Sequence, residues 1–120
     1  MSTAREVPFE LEPGEQPLKS GGANMQRGAE AVGGKLFLTS ARLVFRPHAL
    51  NLQTAPSQIE LGAVVDVAAA WTKVFGKVPL LKNSVEVTLV DGTRQSFVVT
   101  GRSAWIVAID KARGGGVRVG

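Results

Sequence analysis

Apolar and polar positions alternate along most of this chain, and the period changes only near its C-terminal end. In Lys35-Leu36-Phe37-Leu38-Thr39, Leu36 and Leu38 share one side while Lys35 and Thr39 share the other. The pattern repeats in Arg42-Leu43-Val44-Phe45-Arg46, with Leu43 and Phe45 on one side and both arginines opposite. Ser40-Ala41 between the two runs predicts a β-hairpin with a tight connection, and Pro47, which offers no amide to a ladder, ends its second strand. A second hairpin is predicted over residues 84–99. There Val85, Val87 and Leu89 alternate with Ser84, Glu86 and Thr88, and Gln95, Phe97 and Val99 alternate with Arg94, Ser96 and Val98. Asp91-Gly92 supplies the positive φ angles that such a turn demands.

The remaining elements are read from weaker signals. Gln16 to Arg27 is a strand diluted by Gly21 and Gly22, which suggest a bulge or a close backbone approach. Ala29 to Gly34 reads as a turn, and His48 to Gln58 as a polar connection. Ile59-Glu60-Leu61 is a short strand before a turn at Gly62, and Val64 to Trp71 reads as a further strand, although Ala68-Ala69-Ala70 would also suit a helix. Trp105, Ile106, Ile109 and Ala112 then recur at helical spacing, with Thr100 or Ser103 as a cap and Gly114-Gly115-Gly116 as the stop. Residues 1–16, broken by Pro8, Pro13 and Gly14, read as a loosely ordered arm, although Val7, Phe9 and Leu11 alternate as a short edge strand would. The expected order is seven short strands followed by one helix. Such a sheet curls on itself and leaves an open end for the helix to close. The expected organisation is an N-terminal arm over 1–15, one domain over 16–113 and a tail over 114–120.

Composition narrows the function classes. With 120 residues, 44% hydrophobic and 20% charged, the chain builds one compact core. No cysteine is present, so disulfides and thiolate metal sites are excluded. The single histidine, His48, leaves no metal cluster and no Ser/His/Asp arrangement, and no nucleophile has a visible base; a non-catalytic protein without cofactors is expected. No apolar run reaches the roughly 20 residues of a membrane-spanning helix, and the N-terminus lacks a secretory profile, so a cytoplasmic location is expected. The net charge of +4 is uneven: residues 1–30 carry three basic against five acidic side chains, and the remainder eleven against five. A positive body favours an anionic partner.

The run from Gly34 through Lys35-Leu36-Phe37-Leu38-Thr39-Ser40-Ala41-Arg42-Leu43-Val44-Phe45 resembles the signature hairpin of GRAM domains. The likeness continues in order through Ile59-Glu60-Leu61, Val64-Val65-Asp66-Val67, Val85 to Gly92, Phe97-Val98-Val99, Arg102 and Trp105-Ile106. It therefore covers residues 34–109 and is similar to short, stand-alone members of bacterial type. The resemblance implies a pleckstrin-homology-like fold, mainly β: a bent seven-stranded antiparallel sheet or barrel capped by one C-terminal α-helix. It also implies a membrane-associated module that binds phosphoinositides or other lipids, or mediates protein contacts. Pleckstrin-homology lipid sites gather basic residues around the first inter-strand loop. The loop expected here, Gly28 to Gly34, holds Glu30 and no basic residue, with Arg27 and Lys35 at its flanks.

Candidate contacts come from basic segments with apolar side chains between the charges. Lys73, Lys77 and Lys82 are the expected headgroup contacts, with Phe75 as a shallow insertion into a lipid surface. Arg42 and Arg46, on the outer side of the signature hairpin, are either anion contacts or solvated charges pairing with Glu60 or Glu86. Nucleic acid ranks lower, since Phe45, Phe97 and Trp105 fall at inward positions and leave only Phe37 and Phe75 as exposed platforms. The expected function is thus weak peripheral binding to anionic lipid. The alternative is a protein-interaction or self-association module, a homo-oligomer included, that uses an exposed sheet edge.

Overall fold

A computed structural model describes residues 7–27, 30–48, 57–72 and 81–114 of the chain. Seven strands, β1 (Pro17–Arg27), β2 (Glu30–Thr39), β3 (Arg42–Pro47), β4 (Ser57–Glu60), β5 (Val64–Thr72), β6 (Leu81–Leu89) and β7 (Arg94–Val99), precede one helix, α1 (Arg102–Ala112). All neighbouring strands are antiparallel, in the order β4-β3-β2-β1-β7-β6-β5. The expected architecture is therefore present.

The alternation read from the sequence decides which face is buried. Leu36 and Leu38 from β2, Leu43 and Phe45 from β3, Ile59 from β4, Val85 and Val87 from β6, and Phe97 and Val99 from β7 all enter one core. Helix α1 lies against it through Trp105 and Ile109, with Ile106, Ala108 and Ala112 partly buried beside them. Burying side chains of this size contributes about 1.5–3 kcal/mol each, so the helix is held by its apolar stripe more than by its own propensity.

Strand directions give the curled sheet two different ends. One end carries the 40–41 turn with the first residues of β1 and β6 and the last of β4, β5 and β7. The 3-10 turn Leu61–Ala63 leads from the end of β4 there to the start of β5 beside the 90–93 turn. Leu61 N–H donates to the Ala41 carbonyl at 2.9 Å and Val90 N–H to the Ala63 carbonyl at 2.8 Å. The opposite end carries the last residues of β1, β3 and β6 and the first residues of β2, β4, β5 and β7.

Four local readings are corrected. Residues 30–34 are ladder rather than turn: Glu30 pairs with Arg27, Gly33 with Asn24 and Gly34 with both Ala23 and Pro47. Gly34 is there because a Cβ would stand 2.3 Å from the Arg46 carbonyl oxygen and 2.8 Å from Pro47 Cα. The first inter-strand connection consequently shrinks from the expected Gly28–Gly34 to residues 28–29, which lie outside the described residues. The 90–93 turn is wider than a two-residue hairpin loop. Gly92, at φ +92°, donates to the Leu89 carbonyl and Leu89 N–H to the Thr93 carbonyl, while the Asp91 carboxylate accepts from Thr93 N–H and Oγ1. Neither Thr100 nor Ser103 caps α1: its N-cap is Gly101, with no side-chain hydrogen bond. Finally, residues 7–16 form bends and a turn rather than an edge strand.

Candidate functional site

The N-terminal segment folds back through one turn. Pro13 and Gly14 occupy its central positions, with Gly14 at φ +84°, and Glu15 N–H donates to the Glu12 carbonyl at 2.9 Å. That turn aims the Glu15 side chain at the β2–β3 connection, where Ser40 N–H bonds to the Gln16 carbonyl and Gln16 N–H to Ser40 Oγ. The Glu15 carboxylate accepts from Arg42 Nε at 2.7 Å and Arg42 Nη2 at 2.9 Å, from Thr39 Oγ1 at 2.5 Å and from Glu12 N–H at 2.8 Å. Thr39 Oγ1 in turn accepts the N–H groups of Ala41 and Arg42 at 3.0 Å, which fixes the tight connection.

Arg42 is thereby an internal residue in chemical terms. Besides Glu15 it donates to the Glu10 carbonyl at 2.8 Å and to Gln58 Oε1 at 3.0 Å, and its guanidinium lies 4.9 Å from the Phe9 ring centroid. Four of the five N–H donors of an arginine are occupied by these bonds. The expected pairing with Glu60 or Glu86 is replaced, although Glu60 is the Arg42 partner in the ladder. The reason is burial: the Glu15 side chain is only 1% exposed, so its attraction to the guanidinium is screened far less than at a solvated carboxylate. Hydrogen bonding to Arg42, with help from Glu12 N–H and Thr39, outweighs desolvation and holds the Glu15 carboxyl at about 2, from an ordinary 4.5. Arg42 is pushed up by the same hydrogen bond to Glu15. With its donors committed inside the fold, Arg42 has little left for an external anion.

The same segment corrects Phe37. It points outward as the alternation requires, yet it is buried, because the Phe9 ring packs on it edge-to-face with centroids 5.6 Å apart. An aromatic platform for bases is thus absent at this position.

Arg46 is placed differently. It lies on the outward side of β3, directly opposite Lys35 on β2. Among the described residues neither cation has an ion-pair partner; the Lys35 ammonium rests 5.7 Å from the Phe37 ring centroid. Like charges facing each other across a ladder repel, so this pair is a standing invitation to an anion. Lys73, Phe75 and Lys77 lie outside the described residues, and Lys82 sits in β6 with its side chain outside them. The structure therefore brings Arg46 together with Lys35, a contact that sequence reasoning missed, and separates it from Arg42. The signal for the pair was local: Lys35 and Arg46 are outward on neighbouring strands of a hairpin whose turn was already defined. Among the described residues, no group of three or more His, Cys, Asp or Glu side chains is placed to hold a metal ion, and no helix is long and apolar enough to cross a membrane.

No protein-family model matches the sequence, and no curated protein matches it either. Solved structures do match in shape. The C-terminal domain of an unknown protein from Leishmania infantum superposes with a TM-score of 0.68 at 22% identity, covering 84% of this chain and 86% of that one. The Vps36 N-terminal PH domain gives 0.63 at 16% identity, covering 97% and 91%. The C-terminal PH domain of human pleckstrin gives 0.61 at 21% identity, covering 100% and 96%. The fold is pleckstrin-homology-like. At these identities the likeness concerns the fold, and the chemistry of the PH-like domain is argued from its own residues.

Proposed function

We propose that this PH-like domain is a GRAM-type, non-catalytic binding module that attaches weakly to anionic lipid headgroups at a membrane surface. The observation that carries this reading is the outward pair of Lys35 and Arg46, without an ion-pair partner among the described residues, on a body rich in basic side chains. The β5–β6 connection, which holds Lys73, Phe75 and Lys77, joins its strands at the end of the sheet that carries the 40–41 turn, opposite the end where β3 finishes at Pro47. Lys73, Lys77 and Lys82 are the proposed headgroup contacts with Phe75 as a shallow insertion. Arg46 is kept as a separate candidate contact beside Lys35, and Arg42 is withdrawn because its donors are used internally. The folded unit over 16–113 works as a soluble cytoplasmic module that reaches the membrane peripherally.

Co-sedimentation with phosphatidylcholine vesicles, with and without phosphatidylserine, tests the reading. Retention is expected on the anionic vesicles alone and falls as salt shortens the screening length. The double variant Lys73→Ala/Lys77→Ala reduces it. No retention on anionic vesicles at low salt refutes the lipid reading.

A second reading rests on the sheet edges. β4 and β5 end the sheet, and β5 runs from Val64 to Thr72 with Val65 51% exposed, which suits the addition of a further strand. Light scattering that shows only monomer at high concentration argues against its self-associating form.

A further inference from the structure

The solvated face of an antiparallel sheet is ordinarily polar, and the outer face of β2 and β3 departs from that rule. Its outward positions form rungs across the two strands. Lys35 faces Arg46, Phe37 faces Val44, and Thr39 and Arg42 come next beside the 40–41 turn. The middle rung is apolar, and both of its side chains are buried, Phe37 at 4% and Val44 at 5% exposure. Cations stand on either side of it, Arg42 towards the turn and the Lys35–Arg46 pair away from it, each about 7 Å along its strand.

The N-terminal arm lies on this face without being built into the sheet. Val7, Phe9 and Leu11 are half-buried while Pro8, Glu10 and Glu12 are exposed, so the arm turns its apolar side inward and its carboxylates to solvent. Phe9 stands edge-to-face on Phe37, with its ring 4.9 Å from the Arg42 guanidinium, and the Glu10 carbonyl accepts from Arg42 Nη2. Residues 7–12 belong to no ladder. The firm attachments come after them, in the turn at Pro13–Gly14, the Glu15 carboxylate on Arg42 and Thr39, and Gln16 on Ser40. A segment held by side-chain contacts of this kind opens more readily than a strand in a ladder. Its match to the face is also incomplete. Arg42 has Glu15, whereas Lys35 and Arg46 have no ion-pair partner among the described residues. A chain that carried a carboxylate on the same side as its aromatic ring would fill the apolar rung and meet the cationic one together.

We propose that this face, covered in cis by Val7 to Leu11, is a docking surface for an acidic segment of a partner protein, one with an aromatic side chain two residues from a carboxylate. The aromatic ring takes the place of Phe9 on Phe37. The carboxylate lies between Lys35 and Arg46 and turns their mutual repulsion into two charge-assisted hydrogen bonds. Two residues of extended chain span about 7 Å, which is the distance between the two rungs. Glu15 stays on Arg42, and the arm swings out about the Pro13–Gly14 turn. The arm is therefore a built-in competitor, and the affinity for the partner falls with the fraction of chains whose arm is closed. The surface is a sheet face, distinct from the 73–82 segment of the lipid reading and from the edge strand of the self-association reading.

The test uses the full chain and three labelled heptapeptides. EVPFELE copies residues 6–12, EEPFEEE has glutamate in place of both apolar neighbours of the ring, and EEPAEEE lacks the ring as well. Fluorescence anisotropy is expected to show EEPFEEE binding at least about tenfold more tightly than either other peptide, since a hydrogen bond to a charged group or an aromatic contact is missing from each. Weakening the arm by Phe9→Ala/Leu11→Ala is expected to tighten EEPFEEE further. Leu11→Ala alone spares the ring stack and moves the affinity in the same direction, which keeps the test decisive if the double variant does not fold. Lys35→Gln/Arg46→Gln is expected to weaken EEPFEEE at least about tenfold while leaving EVPFELE unchanged. Equal binding of EEPFEEE to wild type and to the arm variants, or binding that survives Lys35→Gln/Arg46→Gln, overturns the proposal. A wild-type dimer that disappears in Leu11→Ala also overturns it, because the face then belongs to the arm of a second copy. Vesicle retention is read separately, and its absence in the wild type sinks the lipid reading whatever the peptides do.

Discussion

Glu15→Gln is the sharpest test of how the N-terminal segment is held. The variant keeps the shape and hydrogen-bonding reach of the side chain but removes its charge, leaving the Arg42 guanidinium, 12% exposed, without a counter-ion. A carboxyl held at about 2 in place of 4.5 is worth up to ~3 kcal/mol of folding free energy. The pair lies at the outer face of the sheet, and solvent screening brings the expected loss to about 2 kcal/mol. The sign is fixed by linkage: because the folded value is depressed, the stabilisation is complete above about 4.5. It then fades as pH falls towards about 2. Urea titrations followed by circular dichroism at pH 7 and pH 3 make the measurement. At pH 7 the variant midpoint is expected roughly 1 M below wild type, taking a slope of about 2 kcal/mol per M. At pH 3 less than about half of the difference remains. A gap that is the same at both pH values, or below about 0.5 kcal/mol at pH 7, refutes the account of Arg42 as a residue fixed by a buried carboxylate.

Two further outcomes follow from contacts described above. Gly34→Ala forces a Cβ against the Arg46 carbonyl and Pro47 and is expected to cost about 3 kcal/mol or more. Gly22→Ala, which meets open space, is expected within about 0.5 kcal/mol of wild type; parallel thermal melts separate the two, and equal losses refute the close-approach argument. Phe9→Ala uncovers Phe37 and removes the ring beneath Arg42. The same melts are expected to show a loss of about 1–2 kcal/mol, and an unchanged melting temperature indicates that the segment is not held by these rings.

Legibility differed by the range of the interaction involved. The hairpin about Ser40-Ala41 was readable because an alternation of period two states which side chains share a face, whatever the strand later pairs with. The helix was readable for the matching reason, since Trp105 and Ile109 lie one turn apart on one stripe. Gly33-Gly34 was misread as part of a turn. A glycine advertises backbone freedom locally, while the need for no Cβ at position 34 is set by Arg46 and Pro47 on the neighbouring strand. The caps at Thr100 and Ser103 failed similarly, because a left-handed Gly101 directs the chain from β7 into the helix.

The sequence by itself determined the strand-and-helix order, the identity of the core face and the positive body, because each is encoded by short-range periodicity or by composition. The partners of outward charges were decided only by the tertiary structure. Glu15 is 27 residues from Arg42 and sits in an acidic, Pro- and Gly-broken stretch that looks solvated on its own. Lys35 and Arg46 look like two ordinary strand charges until the ladder sets them face to face beside two glycines. Which of these arginines is consumed by the fold and which remains open to an anion depends on what packs over the outer wall, and local pattern carries no record of that.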